Sequence, residues 1–320
     1  MNMRGAAIDS VSGRLRIPDE VGAGHGMELE FWEQGAGRTV IFLHGGILTN
    51  WFGPLADHLA KLGEYRVVSY NRPGYAGSSL PSEPLTMAGQ AECCLALMRH
   101  MGIKGAHLVG HSIGACVALQ VALQQPGVVL SLGLLEPPVF AATPNPGPAL
   151  SVIGATAAAW NQGDIAGAMD VFMRGVVDPD YGRELDRTLG TWREDALRGT
   201  DVFLRVDQAA MQGWRFGQTE AAMVCQPSIL FLGGESNRIN AIREPIHNSL
   251  LSWLPDAVGA TIPGGSHLLP LQEPTRIADV LDSFYTQRFG HWMPRCGQPH
   301  GAQGHRGTSC PSYTRMSTRA

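Results

Sequence analysis

Short apolar runs recur along this chain, and longer stretches with helical spacing lie between them. The runs Met27–Glu33, Thr39–His44, Arg66–Tyr70, Ala106–Gly110, Leu130–Leu135, Ser228–Leu232 and Ala257–Ile262 read as strands. Several are apolar at successive positions, as strands buried on both faces of a mostly parallel sheet are. Helical spacing covers Pro54–Leu62, Thr86–Met101, Gly114–Gln125, Ile242–Trp253 and Thr275–Arg288. The alternation predicts an α/β fold: a doubly wound, mostly parallel sheet with helices on both faces. Between Leu135 and Ser228 the rhythm stops. A Pro-rich exit, "EPPVFAATPNPGPAL", leads into helical patterns without a strand, over a length that no plain connection needs. A helical cap insertion is expected there. The predicted organisation is an N-terminal segment (1–26), a core (27–137 and 225–290), the helical cap (138–224) and a tail (291–320).

One hydroxyl interrupts the apolar stretch "AHLVGHSIGACVALQVAL". Ser112 sits where a strand gives way to a helix, with Gly110 and Gly114 two positions away on either side. Glycines so placed mark a backbone bent too sharply for a Cβ on its neighbours. The bend would push the serine out of the fold and offer it to a ligand.

Composition narrows the possibilities. Apolar residues make up 44% and charged ones 16%, so a sizeable core can form. The net charge of −4 argues against nucleic acid or an anionic membrane as a partner. No apolar run reaches transmembrane length, and "MNMRGAAIDSVSGRLRIPDE" lacks the apolar core of a signal peptide. A cytoplasmic protein is expected, with its oligomeric state left open. Cys93, Cys94, Cys116 and Cys225 show no metal spacing and read as buried, reduced thiols. From His291 onward the chain carries four arginines and no acid, and it reads as a disordered tail. His291, Cys296, His300, His305 and Cys310 match no finger spacing, so no metal and no cofactor is predicted.

"GHSIG" fits the G-x-S-x-G elbow between strand and helix that presents a nucleophile. With it come "VIFLHGGILTNW" after an early strand, "YNRPGYAGSS" after the next, and His267 in "ATIPGGSHLLPLQEP" between the last strand and the last helix. In these motifs and their order the chain resembles the α/β-hydrolase family, over roughly Met27 to Arg288. The resemblance implies Ser112 as nucleophile and His267 as base. It also implies an oxyanion hole made by the backbone N–H groups of Gly46 and Ile113, and it casts Arg72 as structural. Of the eleven histidines, His44 belongs to the oxyanion turn, His111 points elsewhere, and His100 and His247 lie within helices.

The acid departs from the commonest family pattern. In "FLGGESNRIN" Asn237 occupies the slot where an Asp is usual, and an amide cannot stabilise an imidazolium by charge. Branches that include haloalkane dehalogenases and zearalenone-lactone hydrolases take the acid from the end of the strand after the elbow helix. Glu136, in "LGLLEPPVF", stands there, and Ser112, Glu136, His267 keeps the family's chain order. Glu235 is the second candidate.

The resemblance therefore implies a serine hydrolase acting on a small ester or lactone with an apolar body. The apolar side chains of the insertion, among them Trp160, Met169, Phe172, Met173, Trp192, Phe203, Met211, Trp214 and Phe216, pack it onto the body or line a pocket beneath it. Acyl transfer, carbon–carbon bond hydrolysis, cofactor-free haloperoxidation and non-catalytic ligand binding use the same frame.

Overall fold

The computed structural model describes residues 10–17 and 26–291. Eight strands form one sheet: β1 (Ser10–Arg16), β2 (Glu28–Gly35), β3 (Arg38–Leu43), β4 (Tyr65–Tyr70), β5 (Ala106–His111), β6 (Val129–Leu135), β7 (Ser228–Gly233) and β8 (Ala257–Ile262). Their order is β1-β2-β4-β3-β5-β6-β7-β8. The pairs β1–β2 and β2–β4 are antiparallel, and every pair from β4 to β8 is parallel. Each strand predicted from the apolar runs is present, with ends shifted by a residue or two.

β1 was not foreseen. It lies in the segment before Met27 yet pairs with β2 along its whole length. Among residues 11–16 only Leu15 is buried, while Val11 is 59% exposed, so no apolar run announces the strand. It is held by ladder hydrogen bonds at a sheet edge.

Alternation along the inner strands assigns the two faces. Ile41, Leu43, Val68, Leu108 and Leu132 pack with α2 (Met87–His100), α3 (Ile113–Gln124) and α11 (Arg243–Trp253). Val40, Phe42, Val67, Val109 and Phe231 pack with α1 (Gly53–Lys61) and α13 (Pro274–Phe289) on the other face. Between β6 and β7 the chain makes a helical excursion: α4 (Gly147–Asn161), α5 (Ile165–Phe172), α6 (Tyr181–Thr188), α7 (Arg193–Val202), α8 (Gln208–Gly213) and α9 (Gln218–Ala221). Two wide π turns, Met173–Val177 and Phe203–Asp207, interrupt it, and the second joins α7 to α8 without a break. Short helices α10 (Ser236–Ile239) and α12 (Leu269–Gln272) follow β7 and β8.

Cys93, Cys94 and Cys116 are buried and reduced, and burial pushes the Cys94 thiol up to about 12. Cys225 differs from expectation: it is exposed, next to the buried Val224. No helix among the described residues is long and apolar enough to cross a membrane. The expected disordered tail and its candidate metal ligands, from Trp292 onward, lie outside the described residues.

Candidate active site

The carboxyl ends of β3, β5, β6 and β8 gather the predicted site residues, where open α/β sheets bind ligands. Ser112 follows β5 with φ 53° and ψ −126°, a strained backbone for a residue with a Cβ. The bend needs both glycines. A Cβ on Gly110 would lie 2.5 Å from the backbone of Ala115, and one on Gly114 would lie 2.1 Å from the carbonyl oxygen of Leu43. The Ser112 N–H donates to the Leu135 carbonyl at 2.8 Å, which fastens the elbow to β6. Strain concentrates here: Ser112, Glu136 and Ile47 are three of the four described non-glycine residues with positive φ.

Glu136 and His267 meet. The Nδ1 of His267 lies 2.6 Å from Glu136 Oε2, and both side chains are buried. The other carboxylate oxygen accepts the Gly233 N–H at 2.7 Å, across from β7. Burial alone would raise the Glu136 pKa. The hydrogen bond from His267, its charge and that of Arg243 outweigh burial and bring the carboxyl to about 2. Burial lowers His267 most, Arg243 lowers it further, and Glu136 opposes both, leaving it at about 4. At neutral pH the imidazole is therefore uncharged and able to take a proton at Nε2. Ser112 and His267 share no direct hydrogen bond, a contact that commonly tightens only when substrate binds.

The turn after β3, residues 44–47, is held from several sides. Arg72 is fully buried, with Nε on the His44 carbonyl and Nη2 on the Gly45 carbonyl, each at 3.0 Å. The Gly46 carbonyl accepts Trp51 Nε1 at 3.1 Å. His44 Nε2 accepts the Arg72 N–H at 2.9 Å, so Nδ1 carries the proton and donates to the Gly45 carbonyl. Burial and then Arg72 keep this histidine uncharged. On the facing side, Ile113 is the first residue of α3, and its N–H has no carbonyl within its own helix to bond.

Comparison with known proteins agrees with this fold. A family model described as "Alpha/beta hydrolase family" matches residues 40–280. The chain belongs to that family. It is 38% identical over 128 residues to the dihydrolipoyllysine-residue acetyltransferase component of the acetoin cleaving system of Cupriavidus necator. That match covers 38% of this chain and 33% of the relative, so this chain spans about a third of the relative's length. It is 27% identical to sn-1-specific diacylglycerol lipase ABHD11 of Mus musculus, over 77% of this chain and 80% of that one. A thermophilic esterase of known structure from Thermogutta terrifontis superimposes with a TM-score of 0.71 at 19% identity, covering 87% of this chain and 99% of that one.

In this alpha/beta hydrolase the turn after β7 does not reach the histidine. Asn237 pairs with Glu244 through two contacts of 3.2 Å, and Glu235 pairs with Arg238 at 3.0 Å on the surface. Neither touches His267. His111, as expected, turns away from Ser112: its Nε2 lies 3.0 Å from the His267 carbonyl, bracing the loop that carries His267.

A pocket opens above Ser112. Ile113, Pro138, Phe140, Ala149, Ile153, Phe172, Val176, Phe203, Met211 and Ile242 line it, with Gln208, Asn240 and Arg243 as its polar members. Of the insertion side chains that could pack or line a pocket, Phe172, Phe203 and Met211 stand at its wall. Trp160, Trp192 and Trp214 instead hydrogen-bond Asp201, Asp186 and Gln120 and pack the excursion together or onto the body. Arg243 was missed by sequence reasoning. It is buried, 3.7 Å from Glu136 Oε2, and donates to the carbonyls of Glu136 and Val176, each at 3.2 Å. An arginine at the start of an ordinary helix carries no motif, so nothing in the sequence marks it.

Proposed function

We propose that this alpha/beta hydrolase is a serine hydrolase that cleaves a small carboxylic ester or lactone with an apolar body through an acyl-enzyme. The observation that carries the reading is the buried Glu136–His267 pair at 2.6 Å, set beside a strained Ser112 that faces a mostly apolar pocket.

In this reading Ser112 Oγ attacks the substrate carbonyl carbon while its proton passes to His267 Nε2. The resulting oxyanion is held by the N–H groups of Gly46 and Ile113, donors fixed in place before reaction and therefore free of reorganisation cost. Glu136 stabilises the imidazolium that forms and holds its Nδ1–H. The imidazolium then protonates the leaving alkoxide as the C–O bond breaks. Water attacks the acyl-enzyme, gives its proton to His267, and releases the acid as Ser112 Oγ is reprotonated. A lactone follows the same steps, with acid and alcohol in one product. The helical excursion acts as the cap that closes the apolar pocket over the reacting bond.

A fluorophosphonate probe and a series of p-nitrophenyl esters and lactones test this. The wild-type protein is expected to be labelled on Ser112 and to turn over members of the series, and the Ser112→Ala protein to do neither. A folded wild-type protein that is neither labelled nor active on any of them overturns the reading.

A further inference from the structure

We propose that Asp207, on the helical excursion, is a positioning residue for the Gly46 N–H: it holds Arg72, and Arg72 holds the peptide that carries that N–H. This inference rests on the hydrolase reading above.

The carbonyl of Gly45 and the N–H of Gly46 belong to one planar trans peptide, so they point in opposite directions. Anchoring the oxygen on Arg72 Nη2 therefore sets the direction of the N–H. With glycine on both sides, nothing steric keeps this peptide from rotating, and the donors on its oxygen, Arg72 Nη2 and His44 Nδ1, have to do it. Arg72 is itself gripped in two places. Its Nη1 and Nη2 lie 2.6 and 2.8 Å from the two oxygens of Asp207, a planar fork on a planar fork. Gln90 bridges the same pair, and Tyr75 Oη donates to Asp207 at 2.7 Å while accepting the Ile47 N–H at 3.3 Å.

Asp207 reaches this place as part of one stripe on the α7–α8 helix. Gly199 lies so close to the turn that a Cβ would sit 1.7 Å from the Ile47 carbonyl oxygen, and a Cβ on Gly46 would lie 2.7 Å from the Phe203 ring. Gly199 and Phe203 thus lie against Ile47 and Gly46, and Asp207 reaches the same turn through Arg72 and Tyr75. A buried ion pair of this kind is often no more stabilising than well-packed apolar groups. What these charges supply is direction.

The test uses a p-nitrophenyl ester that the wild-type protein hydrolyses, a boronic acid that forms a tetrahedral adduct, and a neutral amide analogue of the ester. The double variant Arg72→Met/Asp207→Leu removes both charges and leaves no ion unpaired. Losing an oxyanion donor outright costs about 10²–10³ in kcat, so a donor that is mis-aimed should cost about tenfold to a hundredfold. Boronic acid affinity should fall by a similar factor, while KM and amide affinity stay within about twofold of wild type. Tyr75→Phe, which deletes one oxygen, should show the same pattern more weakly, and it carries the test if the double variant does not fold. Folded variants with wild-type kcat and boronic acid affinity overturn the proposal. So does a parallel loss of kcat, KM and both affinities, which would mean a generally loosened pocket. A wild-type protein with no activity and no fluorophosphonate labelling overturns the hydrolase reading, and this inference with it.

Discussion

Replacing Glu136 by Gln removes one charge and almost nothing else, and the surroundings dictate what the amide must do. Glu136 Oε1 accepts the Gly233 N–H at 2.7 Å, and that donor cannot turn away because it belongs to β7. The glutamine oxygen is therefore drawn to Gly233, and its NH₂ is left facing His267 Nδ1. A donor at that position favours the tautomer with the proton on Nε2, where the base needs a lone pair. The substitution thus withdraws the charge that stabilises the imidazolium and also selects the wrong neutral form. An acid-to-amide change of this kind costs about four orders of magnitude in kcat, or about 5 kcal/mol of barrier. The controls are Glu235→Gln and Asn237→Ala, whose contacts with Arg238 and Glu244 are superficial. Each should change stability by less than about 0.5 kcal/mol and leave kcat near wild type. The assay is kcat on a p-nitrophenyl ester, well below the melting temperature of each variant. That precaution matters because the change leaves Arg243 buried without its counter-charge, and a broken buried pair can cost about 3–5 kcal/mol of stability. If folded Glu136→Gln keeps more than a tenth of its turnover, or if either control is the crippled one, the assignment of Glu136 is wrong.

Other consequences are equally direct. Arg243 lowers the His267 pKa, so Arg243→Met should move the acid limb of kcat/KM upward from pH about 4 toward the ordinary 6.5; an unmoved or lowered limb would contradict the charge coupling. His267 and Glu136 both have depressed folded-state pKa values, so the unfolded chain binds more protons on acidification, His267 first as pH falls from 6.5 and Glu136 next below 4.5. Urea midpoints should therefore decline steadily below pH about 6.5 in the wild type and more shallowly between pH 6.5 and 4 in His267→Gln. Ser112→Gly should raise thermal stability while abolishing fluorophosphonate labelling, because glycine relieves a positive φ that costs about 1–3 kcal/mol. Gly114→Ala should accumulate little folded protein, since its Cβ would meet the Leu43 carbonyl at 2.1 Å.

Much of this was legible in the sequence because the inner strands are apolar on both faces. Their runs gave the order of elements, and the order gave the places where loops leave the sheet. Ser112 could be singled out by its paired glycines at a strand end, and His267 and Glu136 by the positions after later strands that the family resemblance gives to base and acid. β1 was invisible because ladder hydrogen bonds leave no mark on composition and, among residues 11–16, only Leu15 is buried. Arg243 and Asp207 were hidden for a different reason. Their roles depend on contacts across 107 residues to Glu136 and 135 residues to Arg72, and no local pattern encodes a contact of that span. Arg72 was placed in its turn from the sequence, but its hold on the Gly45 carbonyl needed the fold.

The π turn at Phe203–Asp207 has a bearing on which changes of chain length this protein can absorb. Eight residues of regular helix advance by about 800°, which would leave Asp207 about 80° away from the line of Gly199. The wider turn rotates less per residue and brings the two back into line. It works as a phase corrector. Removing one residue from it and closing a regular α-helix gives seven steps and about 700°, so Gln208, Met211 and all that follows keep their direction to within about 20°. A regular helix with all its residues kept would swing them by about 80°. An alanine scan would pass over that constraint, because it resides in the number of residues and not in their identities. A deletion scan would find it, as tolerance of one lost residue in this turn.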